Sequence, residues 1–297
     1  MSDVTIGLLH PGEMGAAVGR CLADHGYAVL WTPEGRSAAS ASRAESAGLT
    51  ATGGLADLVR RADIIISVCP PHAALDVAGQ VAAACGQAAR PGRIFVDANA
   101  ISPATARKVA AIVEAGGAAY VDGGIIGAPP AAPGHARLYL SGPRAEEVRR
   151  LFDGTALDAR LVGRDAPAGA ASAVKMAYAA WTKGSAALLM AVRALAAAER
   201  VDEPLLREWA RSQPDLAARS EAAAKGSAPK AWRWIGEMEE IAATFAAAGL
   251  PDGFHRGAAD VYQRLAGYKD AATPPTIAEV AAVLTGEVAG RPDRRRP

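Results

Sequence analysis

The opening run Val4-Thr5-Ile6-Gly7-Leu8-Leu9 is almost continuously apolar, the pattern of a strand buried on both faces of a parallel sheet. A glycine-containing turn follows it, then a helical stretch from about Gly15 to His25. Similar short runs recur at residues 27–31, 63–68, 93–97 and 118–122, each separated from the next by enough chain for a crossover helix. That alternation predicts an α/β fold built on a doubly wound parallel sheet. Two weaker runs, at 137–140 and 160–162, flank a helix predicted from about Ala145 and would extend the sheet.

Beyond Pro167 the pattern changes. Residues 168–200 lack proline and are dominated by Ala, Leu, Val and Met. They predict one long interdomain helix, apolar nearly all round and therefore buried. After Pro229, Trp234, Ile235, Met238, Ile241, Ala242 and Phe245 fall on one helical stripe. Leu250-Pro251-Asp252-Gly253 would end that helix, and another is expected over 254–265. The boundary is placed near Asp165-Ala166-Pro167, giving a sheet domain at 1–165 and an all-helical domain at 166–297. The helical domain is expected to pair with a second copy, because an all-round apolar helix needs more cover than the remaining residues offer and homodimers are the commonest oligomer.

Composition narrows the function. With 32 Lys+Arg against 31 Asp+Glu in 297 residues, no broad basic field invites nucleic acid or an acidic membrane. The short basic run at 291–296 reads as a frayed end. Cys21, Cys69 and Cys85 have no CxxC spacing, which argues against a disulfide framework or a zinc site and fits a reducing compartment. No run approaches the roughly 20 apolar residues of a membrane span, and the start lacks a signal-peptide pattern. A cytoplasmic protein acting on a small molecule is expected.

His10-Pro11-Gly12-Glu13-Met14-Gly15 lies between the first strand and first helix, the place of a Rossmann phosphate loop. His10 stands where the first glycine of GxGxxG belongs. Gly12 would admit a pyrophosphate close to the backbone, and Gly15 would let helix and strand pack tightly, with phosphate at the helix N-terminus. The competing reading is an ordinary strand-to-helix turn; the strand–turn–helix context favours a dinucleotide site. An NAD site usually has an acid at the end of the second strand. Here Trp31-Thr32-Pro33-Glu34-Gly35-Arg36-Ser37 puts Glu34 past that end, while Arg36 and Ser37 would clamp a 2′-phosphate. NADP(H) is therefore favoured, with NAD(H) the alternative.

These segments resemble the β-hydroxyacid dehydrogenase superfamily, which includes 3-hydroxyisobutyrate and 6-phosphogluconate dehydrogenases and the imine reductases. Residues 7–15 are similar to its opening GFIGLGxMG, and Val68-Cys69-Pro70 to its loop after the fourth strand. Asp97-Ala98-Asn99-Ala100-Ile101-Ser102-Pro103 is similar to its DxSTxxP segment, and Asp122-Gly123-Gly124-Ile125-Ile126-Gly127-Ala128 to its DAPVSGG substrate loop. Gly169 to Lys175 matches its GxxxxxK stretch. The resemblance implies Cys69, Pro70 and Asn99 beside cofactor, Asn99, Ile126 and Gly127 beside substrate, and a catalytic lysine at Lys175. It also looks closest to a subgroup with a short C-terminal domain. The chain departs from the pattern at Ile126, Ala179, Asn99 and Ala100, where the family carries hydroxyl- or amide-bearing residues. A simple small hydroxy acid becomes a poor fit.

Hydride chemistry at a C–OH or C=O centre needs one proton donor or acceptor, and a lysine serves when burial lowers its pKa. Lys175 lies among Ala171, Ala173, Val174, Met176 and Ala177 near a helix start, where the dipole also disfavours its charge. Tyr178 and Thr182 share its face and would offer hydroxyls to substrate. Trp232 is expected to look into a substrate cleft. Lys183 would be either a second lysine of the site or a salt-bridge partner, Glu237, Glu239 and Glu240 a solvated face, and His255 structural. C=N reduction on the same scaffold, and a non-catalytic NADP(H) sensor, are the rival readings.

Overall fold

The computed structural model describes residues 4–88, 91–269 and 271–286; the basic run at 291–296 lies outside them. The chain forms two compact units, 1–178 and 179–297. The first contains one eight-stranded sheet in the order β3-β2-β1-β4-β5-β6-β7-β8. Its strands are β1 (Thr5–Leu9), β2 (Ala28–Trp31), β3 (Thr50–Ala51), β4 (Ile64–Ser67), β5 (Ile94–Asp97), β6 (Ala119–Gly127), β7 (Ala136–Ser141) and β8 (Leu157–Leu161). All neighbours pair in parallel except β6 and β7. The run at 137–140 lies inside β7 and that at 160–162 overlaps only the end of β8, so the sheet is extended at both. The two-residue β3 carries no apolar pattern and was not foreseen.

Helices cover both faces, as a parallel sheet requires. On one face α1 (Glu13–Asp24), α2 (Ala38–Ser46) and α6 (Ala145–Arg150) bring Val18, Leu22, Ala44 and Val148 onto Ile6, Leu8, Val29 and Val96. On the other, α3 (Leu55–Arg61), α4 (Ala74–Gln87) and α5 (Pro103–Ala115) bring Leu58, Val81, Val109 and Val113 onto Leu9, Leu30, Ile65 and Phe95. Gly7 faces α3, and a Cβ there would stand 2.5 Å from Leu58 Cδ2. Strand β1 therefore sits close under that helix.

The long helix α7 spans Ala170–Ala198, near the predicted 168–200. The division between the units falls inside it, after Tyr178, not at Asp165. Its first turn belongs to the sheet unit because Ala171 N donates to Ser141 Oγ and Ser172 N to Asp122 Oδ2. The expectation that α7 is buried all round needs correcting. Trp181, Leu188 and Leu195 are 69%, 61% and 63% exposed, so within one chain a stripe of the helix stays uncovered.

The second unit holds the rest of α7 with α8 (Asp202–Ser212), α9 (Leu216–Ser227), α10 (Ala231–Ala247), α11 (Gly253–Arg264) and α12 (Ile277–Thr285). The predicted stripe places Met238, Ile241 and Ala242 inside, and Trp234 meets Tyr262 edge-on at 5.3 Å. Arg193 clamps Asp202 at 2.7 and 3.0 Å and reaches Ser220 Oγ at 2.9 Å. Helices α8, α9 and α12 were not anticipated, although Thr276 and Glu279 form a capping box that announces α12.

Candidate active site

The turns after β1, β2, β4 and β5 open on the same edge of the sheet, because these strands run parallel. Strand order reverses between β1 and β4, and in open α/β sheets ligands bind in the crevice at that point. His10, Pro11, Gly12, Glu13, Met14 and Gly15 form the β1–α1 turn. His10 adopts φ +65°, a left-handed conformation uncommon outside glycine; a histidine thus holds the backbone where the familiar pattern has glycine. A Cβ at Gly15 would stand 2.4 Å from His10 O, so glycine is needed to let α1 pass that close. Gly12 caps α1 without a side-chain bond, and a Cβ there would meet nothing within 4 Å. The entrance of α1 is therefore clear of side chains at Gly12, which suits the close approach of a pyrophosphate to a helix N-terminus.

Burial, helped by the Arg36 guanidinium, lowers the His10 imidazole to about 4. Its Nδ1 is buried without a partner. Arg36 donates through Nε to Glu34 O at 3.2 Å, and among the described residues no carboxylate pairs with it. Arg36 follows β2 on the edge of the sheet where the β1–α1 turn opens, and its charge acts on His10. Ser37 caps α2, accepting from Ser40 N at 3.2 Å.

Burial pushes the Cys69 thiol up to about 12, so it is no nucleophile. Pro70 is exposed beside it. Asn99, expected to face cofactor and substrate, turns its amide inward and is only 3% exposed. Its Oδ1 accepts from Cys69 N at 2.5 Å, and its Nδ2 donates to Ser67 Oγ at 3.3 Å.

Asp97 and Asp122 are register partners on β5 and β6, both fully buried. Asp122 accepts from Ser172 Oγ (2.6 Å), Ser172 N (2.9 Å) and Ser141 Oγ (3.1 Å). Asp97 accepts from Asn99 N at 2.9 Å, while its Oδ2 has no partner. Burial raises its carboxyl to about 7; the Asn99 N–H opposes the rise and the Asp122 charge adds to it. Asp122 entered the sequence reading only as the head of the substrate-loop segment, and its partners Ser141 and Ser172 escaped it. A carboxylate interrupting an apolar strand was their one signal.

Gly124 lies two residues beyond Asp122 on the same face of β6. A Cβ there would stand 2.7 Å from Ala171 O and 3.0 Å from Lys175 Cβ. Lys175 is thus set directly over the strand, partly exposed rather than enclosed. Ile126 is buried on that same face, and Gly127, at φ +120°, ends the strand. Tyr178 is half exposed at the end of this unit. In the second unit Thr182 is exposed, and Lys269 Nζ lies 4.5 Å over the half-exposed Trp232 ring. Lys183 is a salt-bridge partner, paired with Glu237 and 4.9 Å over Trp234. Glu237 is therefore largely buried, not part of a solvated face. His255 is buried against Phe245 at 4.2 Å.

Residues 5–158 match the family described as the NAD binding domain of 6-phosphogluconate dehydrogenase, and 196–265 match a domain of unknown function, DUF1932. A probable 3-hydroxyisobutyrate dehydrogenase of Mycobacterium bovis is 29% identical over 49% of this chain and 48% of its own length. The chain thus spans about half of that relative. The Mycobacterium tuberculosis 3-hydroxyisobutyrate dehydrogenase solved with L-serine superposes with TM-score 0.71 at 21% identity, over 95% of this chain and 99% of its own. An imine reductase variant from Myxococcus stipitatus in complex with NAD+ gives 0.56 at 20%, over 95% and 100%.

Proposed function

Since the chain belongs to the β-hydroxyacid dehydrogenase superfamily, through the NAD-binding family of 6-phosphogluconate dehydrogenase, we propose an oxidoreductase that uses NADP(H) and Lys175 at a C–OH or C=O centre. The observation that carries the reading is the pairing, in one unit, of an open phosphate turn at 10–15 with a lysine seated over β6. A bound nicotinamide cofactor supplies or accepts the hydride. The α1 N-terminus holds its pyrophosphate, Arg36 and Ser37 its 2′-phosphate, and Pro11, Glu13, Met14, Cys69 and Pro70 shape the adjoining walls. Lys175 Nζ passes a proton to the carbonyl oxygen in reduction, or takes one from the hydroxyl in oxidation. Ile126, Gly127 and Tyr178 border the substrate.

Lys175→Met keeps apolar volume and removes the proton. Turnover of the best substrate from a screen of hydroxy acids, ketones and cyclic imines should fall by about 10²–10⁴, the usual worth of general acid–base catalysis, with cofactor affinity retained. Wild-type-like turnover in the variant would overturn the lysine's role. Ile126, apolar and buried on the substrate side of β6, favours a second reading, C=N reduction. An already protonated iminium would be far less sensitive to Lys175→Met. A sensor would bind NADPH and turn over none of these substrates.

A further inference from the structure

The turns after β4 and β5 are joined by a network in which Ser67, Asp97 and Asn99 take no part in the chemistry above. Ser67 and Asp97, the last residues of these strands, are register partners, and Ala98 N donates to Ser67 O at 2.9 Å. Asp97 Oδ1 accepts from Asn99 N, closing an Asx turn that aims the Asn99 side chain back at β4. There Asn99 Oδ1 takes the Cys69 N–H and Asn99 Nδ2 donates to Ser67 Oγ, which in turn lies 3.7 Å from Cys69 Sγ. All four residues are buried. A backbone N–H and a hydroxyl in such a place are costly to leave unpaired.

The position of this network identifies what it serves. The second strand's end receives the adenosine ribose in folds of this kind, and the pyrophosphate lies at the first helix. Arg36, after β2, marks the adenosine side here. The β4 and β5 turns lie across β1 from it, where the other half of a dinucleotide extends.

We propose that Asp97 and Asn99 are positioning residues that lock the β4 and β5 turns into one rigid wall for the nicotinamide half of the cofactor. Neither touches the ligand: Asn99 acts through Cys69 and Ser67, and Asp97 acts through Asn99. The proposal rests on the nicotinamide-cofactor reading and says which residues hold that half of the site in shape.

Titrations of NADPH and of 2′,5′-ADP, which shares only the adenosine half, separate the two ideas. Asn99→Ala and Asp97→Ala should weaken NADPH at least tenfold and leave 2′,5′-ADP within about twofold, whereas Asp97→Asn, which keeps the acceptor oxygen, should restore NADPH binding. Equal loss for both ligands, or no loss for either, overturns the positioning role. A wild type that binds neither ligand overturns the cofactor reading instead. Should the alanine variants not fold, amide exchange in the wild type still decides. The Cys69 amide should exchange as slowly without cofactor as the β4 amides do, and rapid exchange there overturns the proposal.

Discussion

At the scale of single residues, the cofactor end of the site is defined by two basic side chains, one neutral and one charged. His10 is kept neutral near physiological pH by burial and by Arg36, so Arg36 carries the positive charge at this edge. A 2′-phosphate would meet that guanidinium and the Ser37 hydroxyl, whereas NAD(H) brings no group for either. We therefore expect NADPH to bind more tightly than NADH. Arg36→Ala should weaken NADPH by about 1–3 kcal/mol, the worth of a charge-assisted hydrogen bond, and leave NADH unchanged. A fluorescence titration showing equal wild-type affinities for the two cofactors would remove this assignment. Arg36 was legible in the sequence as a charge at the right distance from the loop. The inward turn of Asn99 was not, because it depends on where Ser67 and Cys69 lie in space.

At the scale of elements, the first turns of α7 are held by steric fit and by one buried carboxylate. Gly124 leaves room for the helix, and Asp122 accepts both the backbone and the hydroxyl of Ser172. Gly124→Ala would put a methyl 2.7 Å from Ala171 O. Overpacking of this kind costs about 1–3 kcal/mol, readable in a denaturant titration. It should also lower turnover by shifting Lys175, while NADPH affinity, set by the β1–α1 and β2–α2 turns, holds. A variant with unchanged stability and turnover would show that α7 is not seated by this contact. The sequence displayed the helix and its lysine through composition and the missing proline. It could not display the seat, since a glycine in a strand signals a close approach without naming its partner.

At the scale of the whole molecule, the uncovered stripe on α7 sets an expectation about assembly. Trp181, Leu188 and Leu195 recur every two turns and are mostly exposed, and a repeating stripe of large apolar side chains is a feature that folded chains usually cover. We expect a second copy to cover it. Light scattering at micromolar concentration should give a dimer, and Leu188→Glu with Leu195→Glu should give a folded monomer with the wild-type circular dichroism spectrum. A monomeric wild type would contradict this.

Local pattern by itself determined that the chain is an α/β sheet domain followed by helices, where most strands lie, and that a glycine turn opens the first helix. Those features follow from side-chain periodicity and backbone preference, which act between near neighbours. Tertiary structure alone decided that α7 begins as part of the sheet unit, that Lys183 is spent on Glu237, and that Asp97, Asn99 and Asp122 serve other residues. Each of these is a pairing across many positions in the chain. Its energy comes from satisfying a polar group away from water, and the partner that does so is chosen by packing.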